Sequence, residues 1–146
     1  DYIGCVDDTC LATGELLPVK DTPFDFNKRK RIGQDLEADH IQLKNAFGYD
    51  HSFVLNGTEN QLTLEEPVSG RRLIISTTAP VVQVYTGNFL KDGCIGKAGR
   101  VYENREGVAL ETQLMPNAIN TEENPSTILR KGDKFESNTK YVFEIM

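Results

Sequence analysis

The sequence has no tryptophan, only two histidines and only three cysteines in 146 residues. Each shortage excludes something. Cys5, Cys10 and Cys94 do not make a disulfide framework, and His40 and His51 show no spacing typical of a zinc site. No metal or other cofactor is expected, and a reducing, cytoplasmic setting fits best. No apolar run is long enough to cross a membrane, and no signal-peptide pattern opens the chain. It also begins at Asp1 without a Met, which suggests an N-terminus trimmed, processed or left out. Positive charge is scarce: 16 Lys and Arg against 22 Asp and Glu leave a net charge of −6. That argues against a nucleic-acid surface. The one basic cluster, Lys28-Arg29-Lys30-Arg31, reads as a solvated loop rather than a localisation signal or phosphate patch.

The length suits one domain burying roughly 70% of its surface, and nearly every periodic segment has period two. Expected strands are Leu16–Val19, Gly48–Leu55, Gln61–Glu65, Arg71–Ser76, Val81–Thr86, Val108–Leu114 and Lys140–Ile145. Turn chemistry separates them at Asn56-Gly57, Ser69-Gly70, Asp92-Gly93, Glu106-Gly107 and Lys131-Gly132-Asp133. Asn56-Gly57-Thr58 also matches a glycosylation sequon, but Asn-Gly between two strand-like runs reads as a two-residue hairpin turn. The single helix-like stretch is Asp35–Asn45, short and irregular. Many short strands with Gly-rich turns predict an antiparallel all-β sandwich or barrel. Asp1–Leu17 has few turn signals and begins as though a strand were under way, so a further part of the sheet is expected outside this chain.

Polar residues interrupt three of these strands. In "NAFGYDHSFVL" (45–55), Asp50 and His51 are adjacent and could be an acid/base pair, ligands, or a polar break in a sheet. Alternation places Asp50, Ser52 and Val54 on one face and Tyr49, His51 and Phe53 on the other, so at most one of the pair belongs to a given site. Gln83 interrupts the Val-rich run 80–86 and shares a face with Val81 and Tyr85; Glu111 and Gln113 share a face of 108–114. Carboxylates, an amide and a tyrosine from separate strands suit a site that grips a polyol, which needs several fixed donors and acceptors beside an apolar surface. The plainer alternative is a polar sheet face meeting water.

The same segments carry a family resemblance. "TGELLPVKDTPFDF" (13–26), "GYDHSFVL" (48–55), "SGRRLIISTTAP" (69–80), "QVYTGNFL" (83–90) and "LETQLMPNAIN" (110–120) together resemble the C-terminal half of the galactose mutarotase (aldose 1-epimerase) family. The resemblance implies an antiparallel β-sandwich of the galactose mutarotase type holding a hexose, with residues 1–146 forming the C-terminal part of one such domain. It implies interconversion of the α and β anomers of hexoses such as galactose and glucose. It also implies roles: Glu111 as general base, with Asp50 and Gln83 as substrate ligands. The family's acid is a histidine in an "NHSYFN"-like motif that this sequence lacks, and in family order it would precede Asp1. A chain with only one of the two proton-transfer partners is expected to lose about 10²- to 10⁴-fold in rate. Its partners would be the hexose and the N-terminal half of the same fold, with no nucleic acid and no membrane. The alternatives are a non-catalytic carbohydrate-binding module, a structural fragment pairing with a separate chain, and a hexose-6-phosphate epimerase.

Overall fold

A computed structural model describes residues 1–91, 95–121 and 127–146. The expected Asp92-Gly93 turn and Cys94 lie outside the described residues. The described residues form eight strands: β1 (Tyr2–Val6), β2 (Ala12–Pro18), β3 (Asp50–Val54), β4 (Leu62–Glu66), β5 (Arg71–Thr77), β6 (Val81–Tyr85), β7 (Ala109–Gln113) and β8 (Thr139–Ile145). They form a five-stranded sheet, β2-β1-β3-β6-β7, and a three-stranded sheet, β4-β5-β8, and all of these strand pairs are antiparallel. The fold is therefore the antiparallel β architecture that alternation and turn spacing predict.

Three local expectations are refined by the structure. First, Asp1–Leu17 does begin with a strand: β1 pairs with β2 in a hairpin, and the turn between them has a signal of its own. The Asp7 carboxylate accepts from Thr9 N–H (2.9 Å), Thr9 Oγ1–H (2.7 Å) and Leu11 N–H (3.0 Å), an Asx-type turn that reverses the chain. These bonds hold the Asp7 carboxyl below its ordinary range, the Thr9 side chain contributing most. Second, Asn56-Gly57 is not a two-residue hairpin. β3 and β4 lie in different sheets, and residues 55–61 carry the chain from one to the other, with Gly57 at φ +72°. A local turn signal cannot say whether the strands it separates will pair. Third, the helical stretch shortens to one helix, α1 (Ile41–Ala46), after a 3-10 turn at Ile32–Gln34. His40 caps α1, its Nδ1 accepting from Gln42 N–H.

The main core lies on the odd-numbered face of β3. Ile3, Val19, Phe24, Leu43 and Tyr49 are buried together, with Phe26, Ile32 and Phe53 packed around them. The segment between β2 and α1 runs beneath the five-stranded sheet and seals this face. Its rings interlock edge to face, Phe24 against Tyr49 at 5.4 Å and Phe26 against Tyr49 at 5.4 Å. The basic cluster is anchored here rather than solvated throughout: Lys30 folds back on Asp35 (2.8 Å), the Pro23 carbonyl and the Phe26 ring, and Arg29 pairs with Glu65. A cavity of about 420 Å³ separates the two sheets, lined by Phe53, Val82 and Leu110 on one side and Leu62 and Leu64 on the other.

Candidate active site

The even-numbered face of β3 is the polar one, and register decides what gathers there. Ser52 pairs with Gln83, and Gln83 pairs with Glu111, so three adjacent strands present polar side chains in one row. Asp50 pairs with Tyr85 one step along. Gln83 Nε2–H donates to Asp50 Oδ1 (2.7 Å), and Ser52 Oγ–H donates to Gln83 Oε1 (2.5 Å). Glu111 is exposed, and no hydrogen bond or ion pair among the described residues engages its carboxylate. It is therefore open to a ligand or a proton. Tyr85 completes the face, its hydroxyl accepting from Phe89 N–H (2.9 Å).

Two motif-bearing loops fix where β3 begins. Asn88 is buried and donates through Nδ2 to the carbonyls of Ala46 (2.8 Å) and Tyr49 (3.1 Å), while its Oδ1 accepts from Thr86 Oγ1 (2.8 Å). Gly48, at φ +140°, lies against the Asn88 amide so closely that a Cβ would collide with it. "GYDH" and "YTGN" are thus two sides of one junction that delivers Asp50 next to Gln83. The other end of the face is closed by apolar packing, with Val81, Met115 and Ala118 buried against Val54. Between these ends lies a small pocket of about 70 Å³, lined by Gly4, Cys10, Ser52, Gln83, Met115 and Pro116 among others.

Both histidines sit away from this face. His51 is fully buried on the core side, 4.8 Å from the Phe24 ring. Its Nδ1 accepts the Asp50 backbone N–H (3.1 Å), and its Nε2 has no hydrogen-bond partner among the described residues. Burial first, then the neighbouring His40, pushes the His51 pKa down to about 4. His40 packs on the same Phe24 ring at 5.3 Å. The basic residues Arg29 and Lys30 are likewise held by Glu65 and Asp35, away from Gln83.

Asp50, Gln83 and Glu111, picked out as misplaced polar residues on three strands, share one sheet face. Ser52 and Cys10 escaped notice. Ser52 had a signal, since it alternates with Asp50; Cys10 had none, because the Asp7 turn brings it to the pocket. Burial, with the negative charges of Asp50 and Asp7, holds the Cys10 thiol above its ordinary range. Among the described residues no group of three His, Cys, Asp or Glu could hold a metal ion.

The family model described as aldose 1-epimerase matches residues 1–142. The chain belongs to the aldose 1-epimerase family. It is 38% identical over 143 residues to galactose mutarotase of Homo sapiens, an alignment covering 96% of this chain and 40% of the relative. It is 34% identical over 149 residues to aldose 1-epimerase of Haemophilus influenzae, covering 99% of this chain and 43% of the relative. Among solved structures, the GalM/aldose epimerase homologue from C. elegans superposes with a TM-score of 0.86 at 31% identity, over 99% of this chain and 43% of that one. Galactose 1-epimerase from Lactobacillus acidophilus gives 0.68 at 27% identity, over 99% and 42%. This epimerase-family chain thus spans about two fifths of the length of the curated relatives it matches.

Proposed function

We propose that this chain is the C-terminal portion of a single epimerase-family sandwich domain and supplies the general base and part of the sugar clamp for interconverting the anomers of hexoses such as galactose and glucose. The supporting observation is the register that sets Glu111 opposite Gln83, with Gln83 bonded to Asp50. A hexose on this face would meet carboxylate acceptors, an amide and the Tyr85 ring, the mixture that polyol recognition requires. Glu111, exposed and with no partner for its carboxylate among the described residues, takes the proton from the anomeric hydroxyl. A general acid protonates the ring oxygen, the C1–O5 bond opens, the C1–C2 bond rotates, and reclosure gives either anomer. The acid is proposed to be a histidine from an N-terminal half of the same fold. A cytoplasmic setting belongs to the same proposal, and Cys5 and Cys10 are free thiols.

One observation favours a second reading, a carbohydrate-binding module without turnover. His40 and His51 both pack against Phe24, so neither reaches the Glu111 face. Anomer exchange followed by NMR on fresh α-galactose and α-glucose, with the N-terminal half of the fold joined to this chain, separates the two. Under the first reading, exchange above the spontaneous rate drops about 10²- to 10⁴-fold in Glu111→Gln while sugar binding persists. Near-normal turnover in that variant would remove Glu111 as the base. Binding without any acceleration even when the N-terminal half is present would favour the module.

A further inference from the structure

Ser52 is 3% exposed, so its hydroxyl depends on a protein partner, and that partner is the Gln83 amide oxygen at 2.5 Å. As a carboxylate, Asp50 can only accept, so the Gln83 NH₂ group must face it. The amide oxygen then faces Ser52, which must donate. The amide is gripped at both ends, and its second Nε2–H has no partner among the described residues. Beside this pair lies the small pocket lined by Gly4, Cys10, Ser52, Gln83 and Met115, the space the amide would enter if released.

We infer that Ser52 is a positioning residue: it locks the Gln83 side chain so that the leftover Nε2–H and the outer oxygen of Asp50 are presented together to a polyol. The inference rests on the sugar-site reading above. Without Ser52 the amide is tethered only through Asp50, its oxygen loses its partner, and the side chain can swing into the pocket beside Met115 and Cys10.

The test has one arm that does not need sugar. In the ¹⁵N-labelled chain, the Gln83 side-chain amide resonances are identified by their disappearance in Gln83→Leu. They are expected to lie away from free-amide positions and to move towards them in both Asp50→Asn and Ser52→Ala. Resonances that stay put in Ser52→Ala would overturn the inference. The second arm is galactose affinity by NMR titration. Ser52→Ala is expected to weaken binding about 2- to 10-fold, the scale of one neutral hydrogen bond, and to have no further effect in a Gln83→Leu background. Equal weakening in both backgrounds would show that Ser52 acts through general packing and overturn the role given to it. A wild-type chain that binds no sugar would sink the functional reading instead, and the amide resonances would still decide whether Ser52 holds Gln83.

Discussion

The five-stranded sheet buries Ile3, Phe24 and Tyr49 completely, whereas on the three-stranded sheet Phe143 and Ile145 remain 78% and 77% exposed. Register puts Leu73, Ile75, Tyr141, Phe143 and Ile145 on one face of that smaller sheet. The face is covered at one end, where Ile75 is buried and Thr139 hydrogen-bonds Thr112 of β7, and open at the other. Its opposite face carries an ion-pair ladder, Glu65–Arg72–Glu144. The difference lies in the connections. The long segment between β2 and β3 folds under the larger sheet and supplies Phe24, Phe26 and Leu43, while β4 and β5 are joined by a tight turn that covers nothing. The strands carrying the candidate site are therefore backed by their own core. The smaller sheet presents apolar surface that the described residues do not cover.

The largest expected effect tests the well-packed side. Phe24→Ala removes a fully buried ring that touches His40, His51, Tyr49 and Phe53, and is expected to cost about 3–5 kcal/mol in urea denaturation. A loss below about 1 kcal/mol would mean that the core under β3 is far looser than its burial implies.

Next comes the acid limb of stability, which belongs to the same core. The His51 pKa of about 4 lies below the ordinary 6.5, so between those values the unfolded chain binds the extra proton and unfolding becomes easier as pH falls. His40, packed on the same Phe24 ring, adds to the lowering that burial produces. The expected loss is about 3 kcal/mol from pH 6.5 to 4, absent at higher pH. His51→Asn, whose amide oxygen can still accept the Asp50 N–H, should flatten that slope in denaturation series at several pH values. An unchanged slope would assign the acid sensitivity to other groups.

The smallest effect is the control on the other sheet. Phe143→Ala should shift stability by no more than about 0.5 kcal/mol, as for other exposed sites. A loss comparable with that of Phe24→Ala would erase the contrast between the sheets and show that Phe143 is buried in the protein in solution.

Alternation was enough to separate Asp50 from His51, to mark Gln83 and Glu111 as misplaced polar residues, and to place seven of the eight strands within a few residues. It worked because the period of two is a local steric property of extended chain. The same logic saw a strand under way at the start of the chain but set no bounds for β1, whose "YIGCV" is too short and too mixed to show a period, and it took Asn56-Gly57 for a hairpin. Pairing is not local: nothing near Asn56 says that β4 will join β5 and β8 rather than β3.

What the sequence determined by itself is the class of fold and which residues of each strand share a face. The tertiary structure decided which faces meet. The β3–β6–β7 register brings Ser52, Gln83 and Glu111 into one row with Asp50 beside them, the Gly48–Asn88 contact fixes where β3 begins, and the packing of Phe24 gathers His40 with His51 on the far side. Faces follow from the geometry of a single chain, but rows across a sheet follow from hydrogen bonds between segments far apart in sequence, and these form only when the whole core closes.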